Sequence, residues 1–341
     1  MKTTKIGFFT DAHIAGQAPN SRQDSYTDSV LKKLAFCLAR CSNECDLIVF
    51  GGDLTHSHKL GNDRLKERVI DVFLENLTVP FLYTYGQHDL RGEDLKSRDE
   101  STTAFIMRML RRLNKDVVEI PHDDWMLYGD VQIAFRACPR GTKDTVHFLQ
   151  RICTDSKFPE LISAKIVVAH QLISDKKSPW LVDYRQLMTG VKDNPKRVID
   201  AVLSGDLHCG FGPCLNQLGT VFVNPGSLAR TAKSKVELTR VVQGVDICVT
   251  DDSVTQTAFW PVGIAAPGDE VFRESAPLVD EENYEEAPAA VETKSFDEVV
   301  ARLADVKQRR IDVWDLLEKR AREIGLEPDV LSYLLSKRPN E

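Results

Sequence analysis

No stretch of this sequence stays apolar for the ~18 residues that a membrane-crossing helix needs. Met1 to Phe9 lack the charged start, apolar core and small-residue cleavage site of a secretory signal. A disulfide framework is missing as well. Eight cysteines are spread over 341 residues, and a chain that long can build a core without staples. Together these absences predict reduced thiols, a cytoplasmic location and no membrane partner. Cys37, Cys41 and Cys45 recur at the spacing of one helix face and read as small buried apolar residues rather than as a metal site. Nor is there a surplus of positive charge. The formal net charge is −7, which argues weakly against broad nucleic-acid affinity. The charge is uneven, however: 269–292 carries nine acids and one arginine. Without that segment the remainder is close to neutral, so charge does not exclude a DNA substrate.

What is present is an alternation of short apolar strands and amphipathic helices. Strands are predicted over 5–9, 47–50, 81–85, 165–169, 198–204 and 220–223, with a hairpin around Gly129-Asp130. Helices are predicted over 24–40, 63–76 and 102–113, the first from Val30, Leu31, Leu34 and Leu38 at helical spacing. Two or three further strands fall within 237–260. Such alternation means an α/β architecture with helices outside the sheet. No internal repeat is visible.

Composition changes after Trp260. The reading gives a main domain over 1–262 and an acidic, Pro- and Ala-rich linker or loosely packed strap over 263–294. A helical element over 295–341 follows. Ser295 and Glu298 form a capping box for a long helix with an interrupted apolar stripe, and Pro328 opens a short Leu-rich one.

The acids and histidines sit where strands end. Asp11 and His13 follow the first strand and Asp53 the second. Gln87, His88 and Asp89 follow the third, and His170 closes the next. Asp206 and His208 follow the strand ending at Ser204. In open α/β sheets ligands bind outside the carboxyl ends of strands. Carboxylates and imidazoles together suit manganese, iron or zinc, and a two-ion site needs one bridging carboxylate, for which Asp53 is placed in strand order. A lone Asp-x-His is weak, since it is more often an ordinary loop feature. Five such loops in register are hard to obtain by chance.

The succession Asp-x-His, Gly-Asp, Gly-Gln-His-Asp, an isolated His and Gly-Asp-x-His resembles the signature of calcineurin-like metallophosphoesterases over about residues 5–230. The resemblance implies a four-layered α/β/β/α sandwich with the site at its edge. It implies one divalent ion held by Asp11, His13, Asp53 and His208, and a second by Asp53, Gln87, His170 and Asp206. It also implies that His88 protonates the leaving oxygen or stabilises the transition state, with Asp89 orienting it. Gln87 stands where the family usually has Asn, and Asp206 where it usually has His. Both replacements retain oxygen donors, which favours manganese or magnesium, although a weakened second site stays open. Gly51 to His56, followed by Lys59, resembles the corresponding loop of SbcD-type nuclease subunits. This implies DNA as substrate, His56 and Lys59 as substrate contacts, and an SMC-like, SbcC-type ATPase partner docked through 295–337. A homodimer stays open. A small-molecule phosphodiesterase or phosphatase and a non-catalytic scaffold are the rival readings. Arg108, Arg111, Arg112 and Lys115 read first as a solvated helix face and second as phosphate contacts.

Overall fold

A computed structural model describes residues 3–129, 132–139, 145–159, 162–176, 181–191, 194–250 and 254–279. The chain starts with strands and helices in turn: β1 (Thr3–Phe9), α1 (Tyr26–Glu44), β2 (Leu47–Phe50), α2 (Asp63–Asn76), β3 (Phe81–Tyr83), α3 (Thr102–Arg112) and β4 (Val117–Glu119). A second run follows with β5 (Met126–Tyr128), β6 (Ile133–Cys138), α4 (Thr145–Thr154) and β7 (Ala164–His170). An excursion with four short strands comes next: β8 (Ile173–Ser174), β9 (Val182–Asp183), β10 (Gly190–Val191) and β11 (Asn194–Val198). The chain returns through β12 (Ala201–Gly205), β13 (Phe211–Leu215) and β14 (Val221–Asn224). It finishes with α5 (Lys235–Thr239), β15 (Gln243–Thr250), β16 (Val254–Pro261) and α6 (Gly268–Val271).

Two six-stranded sheets result, in the orders β16-β15-β1-β2-β3-β4 and β13-β14-β12-β7-β6-β5. The first is parallel from β1 to its edge strand β4, with antiparallel β15 and β16 on the other margin, and the second has a parallel centre of β14, β12, β7 and β6 between antiparallel β13 and β5. Side chains alternate across a strand, and the core divides accordingly. Ile6 and Phe8 of β1, Leu47 and Val49 of β2, Ile166 and Val168 of β7, and Leu203 of β12 fill the space between the sheets. Ile48 and Phe50 face the other way, against α1, α2 and α3, with Val30, Leu34, Leu38, Val69 and Phe73. Val167 and Ala169 meet Leu149 and Ile152 of α4 on the far side. The fold is the four-layered α/β/β/α sandwich. Among the described residues no helix is long and apolar enough to cross a membrane.

Several boundaries moved for physical reasons. Glu237 lies in a helix, not a strand, because Ser234 accepts its N–H at 3.1 Å and caps α5. The strand read over 198–204 is two, split at Asp200, whose carboxylate accepts the Lys165 N–H at 2.8 Å. Helix α4 and the excursion were not anticipated. Cys37 and Cys41 are buried free thiols on α1, and Cys45 is a third at its C-terminal cap. Arg108, Arg111 and Lys115 donate to the oxygens of Asp99, Val117, Tyr83 and Leu77, so these three cations serve the fold.

The segment after Trp260 does not begin as a linker. Val271 and Phe272 are buried, Phe272 bridges to Arg22, and Arg22 lies 5.6 Å over its ring. Lys233 Nζ donates to the carbonyls of Arg273, Glu274 and Ala276. Two apolar side chains and a set of tied carbonyls hold this acidic strap down, and the compact unit runs to Glu281. The segments read as the rest of the linker and the helical element 295–341 lie outside the described residues. If the strap belongs to the core, Phe272→Ala should lower the unfolding free energy by about 3–5 kcal/mol. Urea denaturation measures this, and a loss below about 1 kcal/mol would detach the strap from the core.

Candidate metal centre

The parallel strands of both sheets end at one edge, and their loops deliver the chemistry there. Asp11 lies two residues beyond β1, Asp53 three beyond β2, His170 closes β7, and Asp206 directly follows β12. The backbone is strained at these points. Asp11, His13, Asp53 and Asp206 have φ of 55°, 45°, 54° and 76°. Asp and His tolerate this left-handed region better than most residues, yet each instance costs roughly 1–3 kcal/mol and persists only where the surroundings enforce it. Four of the seven ligands expected from the sequence share this strain.

Their side chains converge. His170 Nε2 lies 3.2 Å from Asp53 Oδ2 and 3.9 Å from both Asp11 Oδ1 and Asp206 Oδ1. His13 Nε2 lies 3.7 Å from Asp11 Oδ1 and from Asp53 Oδ2, and 2.9 Å from His208 Nε2. His208 Nε2 is 4.0 Å from Asp11 Oδ1. Two groupings stand out, Asp11 with His13 and His208, and Asp11 with Asp53 and His170. Gln87 is half-buried beside them, and among the described residues its side-chain amide forms no hydrogen bond. The Asp11 carboxylate accepts the Asp206 N–H at 3.2 Å, tying the loops of the two sheets together.

The arrangement is unfavourable without positive charge. His170 Nδ1 lies 2.8 Å from the Gly51 carbonyl. That oxygen can only accept, so Nδ1 carries a hydrogen, and Nε2 faces three carboxylates, where it needs either a proton or a cation. Asp53 Oδ2 and His170 Nε2 are buried and have no hydrogen-bond partner. His13 Nε2 and His208 Nε2 bond to each other at 2.9 Å, so one of the two rings carries its hydrogen there. Burial would push the His170 imidazole down, but Asp53, Asp11 and Asp206 hold it well above its ordinary value. Burial also opposes the Asp53 charge, and His170, His88 and His13 outweigh it and hold that carboxyl low. Burial pushes Asp11 up, against the pull of His170 and His208. His208 is pushed down to about 3 by burial and then by His13, so it offers a neutral ring. Buried carboxylates with neutral imidazoles are the donor set that divalent cations take. These residues fit the pair of ions that the sequence implied.

His88 stands at the mouth of the cluster. Its Nδ1 lies 2.9 Å from the His56 carbonyl, its ring packs edge-on to His13 at 4.8 Å, and it stacks with the His56 ring at 5.0 Å. Asp89 does not orient it. The Asp89 carboxylate is fully buried and accepts the N–H groups of Asp53 (2.9 Å), Thr55 (3.2 Å) and Gly86 (3.1 Å) and the hydroxyls of Thr55 and Thr103. It therefore clamps the Asp53 loop to the Gly86 loop, and the His56 carbonyl takes over the orienting role. His56 and His58 line the same loop, His58 reaching the Asp89 carbonyl. Lys59 is exposed at its outer end.

Glycines leave room for this clamp. A Cβ on Gly86 would lie 2.1 Å from Asp53 Oδ1, and Gly52, at φ 108°, would place one 2.6 Å from His170 Nδ1. Thr103 was invisible in the sequence, since nothing marks a helix-start threonine as a partner of a distant loop. Tyr26, which donates to the His13 carbonyl at 2.8 Å, was equally hidden. Asp89→Asn would turn an amide donor toward N–H groups that need an acceptor. It should cost at least about 1.5–3 kcal/mol, read as a lowered unfolding midpoint of metal-free protein. An unchanged midpoint would mean that the clamp carries no weight.

No curated protein matches the sequence. Among solved structures, NAD nucleotidase from Haemophilus influenzae is similar at 15% identity, over 76% of this chain and 49% of that one, with a TM-score of 0.42. The chain thus spans about half the length of that protein. A hypothetical protein from Thermus thermophilus is similar at 14% identity, over 75% of this chain and 99% of that one, with a TM-score of 0.43. The family model described as calcineurin-like phosphoesterase matches residues 4–210. That span takes in the β1, β2, β3, β7 and β12 loops that build the cluster, and this chain belongs to the calcineurin-like phosphoesterase family.

Proposed function

We propose that the protein is a metal-dependent phosphodiesterase that acts on DNA. The observation that carries the reading is the convergence of buried carboxylates and imidazole nitrogens within ligand reach of one another. One ion would be held by Asp11, His13, Asp53 and His208, and a second by Asp53, Gln87, His170 and Asp206. Such a pair supplies Lewis-acid polarisation of a phosphate and acidification of water. The protein's own groups do the rest. Asp53 sits between both ligand sets. His88 has Nδ1 committed to the His56 carbonyl. Only its Nε2 can present a proton, and in the imidazolium form it gives that proton to the leaving oxygen. The stacked His56 ring backs His88 and limits its rotation. The oxygen-rich second set, with Gln87 and Asp206 in place of the usual Asn and His, favours manganese or magnesium over zinc.

The choice of DNA rests on the loop Gly51 to His56 with Lys59, which resembles that of SbcD-type nucleases. In the same reading, residues 295–337 dock on an SMC-like ATPase. A manganese-supplemented digestion of labelled DNA, beside hydrolysis of bis(p-nitrophenyl) phosphate, tests both levels. Activity on the small diester alone would leave a small-molecule phosphodiesterase, and activity on neither would leave a scaffold. His88→Ala should keep its metal content and lose about 10²–10⁴-fold in rate. Unchanged turnover would remove His88 from the mechanism. Truncation after Ala290 should leave small-diester hydrolysis in place and abolish co-purification with the ATPase. Retained co-purification would place the contact elsewhere.

A further inference from the structure

Behind the cluster of carboxylates and imidazoles lies a set of buried cations. Lys33 of α1, Arg22, Arg230 and Arg240 are almost fully enclosed. Two acids accompany them: Glu237, 2.8 Å from Arg240 Nε, and Asp24, which takes both Nε and Nη2 of Arg22. Other donors of this set point at neutral peptide oxygens, and the choice of oxygens is orderly. Arg240 donates to the Ser227 carbonyl at 2.8 Å and to that of Ala229 at 2.7 Å. Lys33 donates to the Leu228 carbonyl between them. Arg22 donates to the Arg230 carbonyl at 2.6 Å. Four consecutive carbonyls are each held by a cationic side chain. Burying a cation is costly, and a turn on the surface could leave the same oxygens to water.

The other side of this turn faces the metal centre. The Ser227 hydroxyl donates to the Asp11 carbonyl at 2.8 Å, and the Ala229 N–H donates to the same oxygen at 3.2 Å. The Leu228 N–H reaches the Thr10 carbonyl at 3.2 Å, and the Ser227 N–H the His208 carbonyl at 3.0 Å. Arg22 also lies 5.1 Å over the ring of Tyr26, whose hydroxyl holds the His13 carbonyl. Asp11 and His13 are two of the residues in left-handed backbone, so something must hold them there. These bonds end on Asp11, His13 and His208, the ligands of one grouping, or on Thr10 beside them. Gln87 and His170 lie on loops that these bonds do not reach.

We propose that Lys33, Arg240 and Arg22 are positioning residues for one half of the metal centre. By fixing the 227–230 turn and Tyr26, they set the backbones of Asp11, His13 and His208, and the half formed with Gln87 and His170 does not depend on them. The proposal rests on the two-ion reading above.

The test is a manganese titration of metal-stripped full-length protein by calorimetry, with electron paramagnetic resonance to tell a single ion from a pair. Wild type is compared with Lys33→Met, Arg240→Gln, Ser227→Ala and the conservative Ser227→Thr. The first three should weaken one of two sites by about 10–100-fold, as loss of outer support does at metal sites, and leave the other as in wild type. Ser227→Thr keeps the hydroxyl and should restore binding. The metal-free unfolding midpoint of Lys33→Met should hold or rise, because Met fills the same space without a charge to bury. Equal weakening of both sites, or no weakening, would overturn the proposal. Should Arg240→Gln fail to fold, Lys33→Met and Ser227→Ala decide the matter. Wild type that takes up no manganese would overturn the two-ion reading and this proposal with it, whereas two ions in wild type and unaltered variants would overturn this proposal alone.

Discussion

Everything at the functional edge follows from packing several carboxylates and imidazoles into a volume with little water. Asp11, Asp53 and Asp206 approach one imidazole, His170, to within 3.9 Å. At the low effective dielectric of a buried site such groups repel strongly unless a proton or cation lies among them. Left alone they would part. Their backbones therefore have to be held from behind, and the left-handed φ at Asp11, His13, Asp53 and Asp206 shows how far they are held from a relaxed chain.

Two devices supply that restraint, and they divide the site between them. The Asp89 carboxylate gathers the N–H groups of Asp53, Thr55 and Gly86, so a buried anion fixes the loops after β2 and β3. The 227–230 turn works in the opposite polarity. Its donors hold the Asp11 and His208 carbonyls, and its own carbonyls are held by buried cations. The same habit recurs in the strap, where Lys233 gathers three carbonyls and Arg230 a fourth, that of Ala266. Irregular backbone has no ladder to satisfy it. Here charged side chains do so.

This explains why the sequence was readable in one part and opaque in another. Asp11, His13, Asp53, His170 and His208 act through their own side chains, and each stands at the end of an apolar strand. Residue type and position together expose them. Lys33, Arg240, Ser227, Tyr26 and Thr103 act on main-chain atoms, or on a carboxylate far away in sequence, and every residue has the same main chain. No residue pattern marks which carbonyl a lysine will meet. Asp89 shows the limit most sharply: its identity pointed to the neighbouring His88, but the fold turned it to the backbone of the preceding loop. The segment after Trp260 was left open between linker and strap for a related reason. Its composition is that of a linker, and two well-placed apolar residues with tied carbonyls were enough to fasten it.

The departures at Gln87 and Asp206 fit this division of labour. Both fall in the second ligand set, Gln87 on a loop the 227–230 turn does not reach and Asp206 on the loop whose His208 carbonyl it holds. Asp206 is shorter than the histidine usual in the family, but its N–H is bonded to the Asp11 carboxylate and its own carboxylate still comes within 3.9 Å of His170 Nε2. Gln87 is longer than the usual asparagine, and its amide is not engaged elsewhere among the described residues. A shorter donor on one side and a longer one on the other keep the number of donors while exchanging a nitrogen for an oxygen and adding a negative charge. Oxygen donors suit harder cations.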